Sequence, residues 1–353
     1  MALLTTTLKL KVEYEVSKLR GLPEEELDRI NKSLKNAEKN VRAIMDSAMS
    51  AAVMIASTVA FALKNALSSA AVLEERLSTL TSLTKNYAQS LTLFKEATNI
   101  ALEYGHSLDQ VLSAFEQVYN AYFEGQEALE LVNKAALLAT ATNSRLSDAV
   151  SALIKMYGAY KDQNVSVLES SQALFTMWRY GIGTLGALSN TLANFSDVAR
   201  EAGLNVNQLA AVVAILTQKG YSSSRVSTTL TRVLSDFVKK SYEIIERFEK
   251  LGVQFTENTK KSRNFIDILM EVKKAIDEGV ISIDDVVRVM SSYVLGVDAL
   301  LKIMSDLPKI SLISSKSTES FAEMIYAAAS QMTTFRFAIQ KLRETWKLFI
   351  TEI

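Results

Sequence analysis

One local arrangement recurs between about Gly105 and Phe237: a glycine, a short polar cap, then a segment with apolar residues at helical spacing. Two of the openings are near copies. Gly105-His-Ser-Leu-Asp-Gln110 returns 98 residues later as Gly203-Leu-Asn-Val-Asn-Gln208, and Gly279-Val-Ile-Ser-Ile-Asp-Asp285 is a looser third version. Glycine supplies the left-handed stop of one helix. Ser107 or Asn205 then accepts from the free N–H groups of the next helix, while Gln110 or Gln208 reaches back to complete a capping box. A chain punctuated this way is constrained to helices joined by short turns, with antiparallel neighbours.

The spacing predicts helices near 88–104, 108–122, 126–141, 145–158, 166–180, 186–202, 206–219, 222–251, 263–278 and 283–305. Turns are expected at Gly105, Gly125, Gly158, Gly181 to Gly186, Gly203, Gly220, Gly252 and Gly279. Two prolines and 12 glycines in 353 residues agree with long uninterrupted helices. That length suffices for two domains and a sizeable core.

Before this array, Leu8, Leu10, Val12, Tyr14 and Val16 alternate with Lys9, Lys11, Glu13 and Glu15, the period of a half-buried strand. An isolated strand needs a partner, either local or on another subunit or protein. Pro23 followed by three glutamates then opens a helix, with its carboxylates against the positive end of the dipole. Leu27, Ile30, Leu34, Ala37, Val41, Ile44, Ala48, Ala51 and Ile55 keep a 3, 4 spacing over four heptads. This reads as a coiled-coil seam joining copies of the chain, against the plainer reading of an amphipathic helix on its own domain.

Residues 47–63 carry no charge, which puts them at the lower edge of a membrane span. Their many Ala, Ser and Thr residues favour a close-packed helix in an oligomer instead. At the other end, Leu307-Pro308 is expected to break the chain, and Ser311 to Ser320 reads as a polar linker. A second seam follows through Met332, Phe335, Ile339, Leu342, Trp346, Phe349 and Ile353. The sequence stops mid-pattern, as expected of a bundle completed by partner chains or of a boundary cut through a longer protein.

The fold class expected is therefore all-α: a strand or arm at 1–20, a coiled-coil helix with the apolar stretch at 21–85, a compact array of helical hairpins at 86–306, and a linker with an amphipathic helix at 307–353. The oligomer seam comprises Leu27, Ile30, Leu34, Val41, Ile44, Ile55, Phe335, Ile339, Leu342, Trp346 and Phe349.

Chemistry is sparse. Charge is balanced at 39 basic and 39 acidic residues, so nothing points to sequence-specific nucleic-acid binding. The absence of cysteine excludes disulfides and thiolate zinc sites. The N-terminus lacks a signal-peptide layout, because its basic residues follow the apolar ones. Gly181-Ile-Gly-Thr-Leu-Gly186 matches a dinucleotide fingerprint, but Ser166 to Tyr180 before it reads as a helix capped by Ser166 and Glu169, not a strand. An interhelical turn is expected there. His106, the single histidine, is expected to be a solvated cap residue. One histidine excludes the usual zinc hydrolase ligand sets, and any Ser–His triad would have to use it. Asp284-Asp285 fits the start of a helix better than a cation site. Tyr119, Tyr122, Phe123, Met177, Trp178 and Tyr180 are expected in the core. No catalytic residue, metal ligand or cofactor is expected.

The segments Phe123–Thr142, Leu146–Gly158, Asn190–Ala202, Gly203–Gly220 and Tyr221–Leu234, followed by Leu251–Phe255, Phe265–Met270 and Leu295–Leu301, resemble in content and order the core of phage tail tape-measure proteins. The resemblance covers roughly residues 70 to 345 and rests on block order, not on an invariant site. It implies a structural virion protein, made in the host cytoplasm and located in the tail lumen or tip. The expected partners are copies of itself, as a trimer or hexamer, tail-tube and tail-tip or baseplate proteins, and transiently the host membrane during genome ejection. It also implies a ruler, since a helix writes length as residue number. This chain, even fully helical, would span only roughly 530 Å, and the family's long coiled-coil region is missing. The alternatives are a membrane-active oligomeric helical protein and a cytoplasmic helical adaptor.

Overall fold

Capping decides where the helices of this protein begin, and left-handed residues decide where most of them stop. The computed structural model describes residues 75, 78–192, 195–294, 296–334 and 337–338. The expected strand at Leu8–Val16, the seam from Leu27 to Ile55, the uncharged stretch 47–63, and Phe335, Ile339, Leu342, Trp346, Phe349 and Ile353 lie outside those residues. Among the described residues the regular structure is helical throughout, with no strand.

The described residues divide into two compact units, one made of those up to Val150 together with those from Phe321, the other of Ser151–Ser320. The first unit contains α1 (Tyr87–Tyr104), α2 (Leu108–Asn120), α3 (Gly125–Ala141), the first turn of α4 (Leu146–Tyr160) and the C-terminal part of α14 (Leu307–Met332). Asn86 caps α1, and Ser107 with Gln110 forms a complete capping box on α2. Helices α1, α2 and α3 pack on one another, and Leu93, Ala97 and Ile100 on α1, Val111, Phe115 and Val118 on α2, and Leu131, Ala135 and Leu138 on α3 are buried at spacings of three or four. Burying each larger side chain contributes about 1.5–3 kcal/mol. Helix α3 is buried all round from Ala135 to Ala141, so it is the centre of this unit.

The second unit is built on α5 (Val167–Tyr180) and α8 (Val206–Gln218), which pack together more extensively than any other helix pair described. Both are buried on every side over two turns, α5 from Ser170 to Met177 and α8 from Leu209 to Thr217. Small residues on α8, Ala210, Ala211 and Ala214, permit the close approach. Around this pair lie α6 (Leu185–Leu192), α7 (Ser196–Glu201), α9 (Ser223–Lys250), α10 (Glu257–Ser262), α11 (Phe265–Asp277), α12 (Ile283–Ser291), α13 (Val297–Ser305) and the start of α14. The 28-residue α9 is strongly amphipathic: Val226, Leu230, Val233, Phe237, Ile244 and Phe248 are buried, and charged residues fill the opposite side. Phe237 meets Phe265 of α11 edge-on, with ring centroids 5.0 Å apart.

Several expectations are corrected. Gly158 lies inside α4, and the turn falls later, in a short 3-10 segment ended by left-handed Asn164. The helix expected at 186–202 is two, α6 and α7, and that at 263–278 starts only at Phe265, after left-handed Arg263. The helix expected at 283–305 is interrupted before Gly296, whose φ of +98° ends any continuous ladder. Leu307-Pro308 does not break the chain, and 311–320 is no linker. Leu307 to Met332 is one 26-residue helix. Pro308 sits in its first turn, where no intrahelical partner is needed for the missing N–H.

Candidate functional site

The two near-copy turns are the most specifically built places in the described structure. In the first, Ser107 Oγ accepts from Gln110 N–H at 3.1 Å, and Gln110 Oε1 accepts from Ser107 N–H at 3.0 Å. In the second, Asn205 Oδ1 accepts from Gln208 N–H at 2.8 Å, and Gln208 Oε1 accepts from Asn205 N–H at 3.1 Å. Gly105 and Gly203 hold φ of +72° and +79°, the region that disfavours a side chain.

Beyond that shared frame the copies differ. A Cβ on Gly203 would lie 2.8 Å from Asn264 Cα, so backbone approaches backbone there. Asn264 is tied in on both sides. Its Oδ1 accepts from Ile266 and Asp267 N–H at 2.9 and 3.1 Å, capping α11, while its Nδ2 donates to Gly203 O at 2.5 Å and Gln208 Oε1 at 3.0 Å. Phe265 N–H adds a bond to Ala202 O at 2.9 Å. One asparagine thus joins the cap of α8 to the cap of α11. Behind Gly105, by contrast, lies the ring of Phe337.

The second residue of the turn also differs. Leu204 is a buried apolar plug. His106, expected in solvent, is buried too, at 9% exposure. Its Nε2 is 3.1 Å from Ala136 O and 3.2 Å from Thr140 Oγ1, and Thr140 gives its hydroxyl proton to Tyr104 O at 3.0 Å. The network assigns the proton to Nε2, which donates to both. Burial lowers the imidazole's pKa, against a smaller opposing effect of the Ala136 carbonyl, so the ring is held neutral. It is a fastener between the α1–α2 turn and α3.

A third constellation was not visible in the sequence. Tyr221, just past left-handed Gly220, is buried at the start of α9, and its hydroxyl donates to Asp298 Oδ2 at 2.5 Å. The Arg225 guanidinium lies 4.1 Å from the ring centroid and the Lys302 ammonium 4.6 Å. Lys302 Nζ also donates to Asp298 Oδ2 at 3.1 Å and Tyr221 OH at 3.3 Å. The hydrogen bonds from Tyr221 and Lys302 keep the Asp298 carboxyl below its usual range. Tyr221 and Asp298 are 77 positions apart, which no local pattern reveals. The cluster joins the α8–α9 turn to α13.

The glycine-rich loop Gly181–Gly186 follows one helix and opens another, as an interhelical turn. Ile182 N–H donates to Thr217 Oγ1 at 3.0 Å, and a Cβ on Gly181 would lie 2.5 Å from Met177 O, so its residues serve α5–α8 packing. Asp285 completes a capping box with Ser282, whose hydroxyl and N–H lower its pKa. Of the aromatic set, Tyr119, Phe123 and Met177 are buried and Trp178 and Tyr180 half-buried. Tyr122 departs from the core expectation: it is 91% exposed at φ +64°. Among the described residues no group of three His, Asp or Glu side chains is placed to hold a metal ion, and no helix is long and apolar enough to cross a membrane. Of the expected seam residues, all eleven fall outside the described residues.

A family model described as "Phage-related minor tail protein" matches residues 95–280, more than half of the chain. The match begins within α1 and ends at the turn after α11, so it contains both copies of the capped turn, His106, Tyr221 and Asn264. No curated protein and no solved structure matches the chain significantly.

Proposed function

Because the chain belongs to the phage-related minor tail protein family, we propose that this structural tail component is of the tape-measure type, acting in tail assembly and in setting tail length or organising the tail tip. The observation that supports the reading is the family match across 95–280, which spans most of the blocks whose order resembles that of tape-measure cores. In this reading the capped array is a folded module. Length is measured by the seam from Leu27 to Ile55, through which several copies, three or six, associate. The array engages tail-tube and tail-tip proteins, with membrane contact confined to release. No step of this role is enzymatic, and it uses no cofactor.

Tail length in electron micrographs tests it. Duplicating Leu27 to Met54 in the virus adds 28 residues, four heptads, and keeps the seam in register. A ruler helix lengthens the tail by about 42 Å at the helical rise. An unchanged length on viable particles overturns the ruler and leaves tip organisation as the role.

A further inference from the structure

Among the described residues, four helices open with a complete capping box, and three of them bury the apolar residue at their first position: Leu108, Val167 and Val206 are at most 4% exposed. The fourth does not. Ile283, first in α12, is 57% exposed, and Val280, in the longer turn before it, is 47% exposed. The chain itself covers Gly105 and Gly203, whereas a Cβ on Gly279 would meet none of the described residues beyond its chain neighbours within 4 Å. A Cβ on Gly252 would lie 3.2 Å from Val280 Cγ1, so this turn abuts Leu251, the exposed residue that ends α9. Exposed apolar side chains therefore gather at the C-terminal end of α9. Across residues 273–288 acid prevails, with Asp277, Glu278, Asp284 and Asp285 against Lys273, Lys274 and Arg288.

The other end of α9 carries the complement. A Cβ on Gly183 would lie 3.6 Å from Ser223 Oγ, which places the 181–186 loop at the first turn of α9. That loop holds Ile182 in solvent, its N–H fixed on Thr217 Oγ1. Gln218 links the loop to α14, donating to Tyr180 O and accepting from Lys309 Nζ. Leu312, one turn further along α14, is exposed as well. Base prevails here, with Arg179, Lys219, Arg225, Lys302 and Lys309 against Asp298 and Asp306. The 28 residues of α9 hold the two surfaces about 42 Å apart. Each surface gains by burying its apolar residues. Their excess charges are opposite, so unlike surfaces attract and like surfaces repel.

We propose that these two ends dock on one another between copies of the chain, the Val280–Ile283 turn of one copy seating on the Ile182 loop of the next. Such a contact is heterologous: it closes a ring or extends a row, and it never pairs a surface with itself. It uses none of the seam from Leu27 to Ile55 and stands whether or not that seam measures length.

Cross-linking tests this, because the chain has no cysteine of its own. Ile283→Cys and Ile182→Cys are made separately in the full chain, one of them with a size tag, and treated with a short bis-maleimide alone and mixed. Both positions are exposed, so neither substitution removes core packing. The contact requires covalent dimers of unlike variants at least about tenfold more abundant than dimers of like ones. Asp284→Lys on the Ile283→Cys copy lowers the unlike yield by about threefold. The same substitution on the Ile182→Cys copy leaves it unchanged, since that copy's acidic turn lies outside the cross-linked contact. Like and unlike dimers in equal amounts, or no dimer at all, overturn the proposal. So does an Asp284→Lys effect that is absent, or equal whichever copy carries it.

Discussion

Gly105 and Gly203 open the same six-residue turn, with the same capping box and nearly the same φ, yet the two turns are anchored by different means. At Gly203 the neighbour is main chain, and one asparagine links three backbone groups and a cap glutamine across it. At Gly105 the neighbour is an aromatic ring, and the second residue is a buried neutral histidine where the other copy has leucine. A cap motif therefore fixes where a helix starts, while the residues between its fixed positions decide what the turn is fastened to. The first turn is backed by a movable aromatic side chain, the second by main chain and the one asparagine side chain bound to it.

Substituting the glycines separates these two modes most strongly. Gly203→Ala puts a methyl against Asn264 Cα in a left-handed residue, and neither backbone can yield; we expect a loss of about 3 kcal/mol. Gly105→Ala carries the same backbone strain, but the Phe337 ring can rotate aside, so the loss is about 1.5 kcal/mol. Urea denaturation of the two variants reads the difference, and equal losses would mean that the ring is as rigid as main chain.

Exchanging the second residue sharpens the contrast. The His106 pKa is lowered in the fold, so below about 6.5 the unfolded chain binds the proton first and stability falls as pH drops. The loss reaches up to about 1.4 kcal/mol per pH unit until the folded ring protonates. His106→Leu, which copies Leu204, should flatten stability between pH 6.5 and 5. A slope that survives the substitution would assign it to other groups. The smallest effect is expected at the cap glutamines. Gln208→Ala removes the partner of Asn264 as well as the capping box and costs about 1 kcal/mol, against about 0.5 for Gln110→Ala, both read from the urea midpoint.

How far the sequence reveals this molecule follows from the range of each interaction. The caps at Ser107, Ser166, Asn205 and Ser282 are decided within four residues, and all four form as their spacing suggests. Gly158 misleads because an exposed glycine inside a helix looks like a stop when only its neighbours are considered. The serine-rich stretch 311–320 looks like a linker because its apolar residues are few, yet Ser317 and Ser320 occupy the buried stripe themselves. His106 looks solvated because Ala136 and Thr140, which bury it, are 30 and 34 positions away. The Tyr221 cluster is likewise assembled across 77 positions. The family's block order was legible because it is itself a sequence pattern; the anchors between blocks are not.

The unit that contains α1, α2 and α3 also takes in Phe321, whose ring receives the Lys134 ammonium at 5.1 Å, and Phe337, which covers Gly105. Those rings are translated some two hundred residues after the helices they cover, whereas Ser151–Ser320 is contiguous. On the ribosome, then, the later-encoded unit can close first. The earlier one must wait until Phe321, beside Lys134 of α3, and Phe337, over Gly105, have emerged, and its folding carries the slower loop closure of a discontinuous assembly. Order of synthesis and order of completion run opposite ways along this chain.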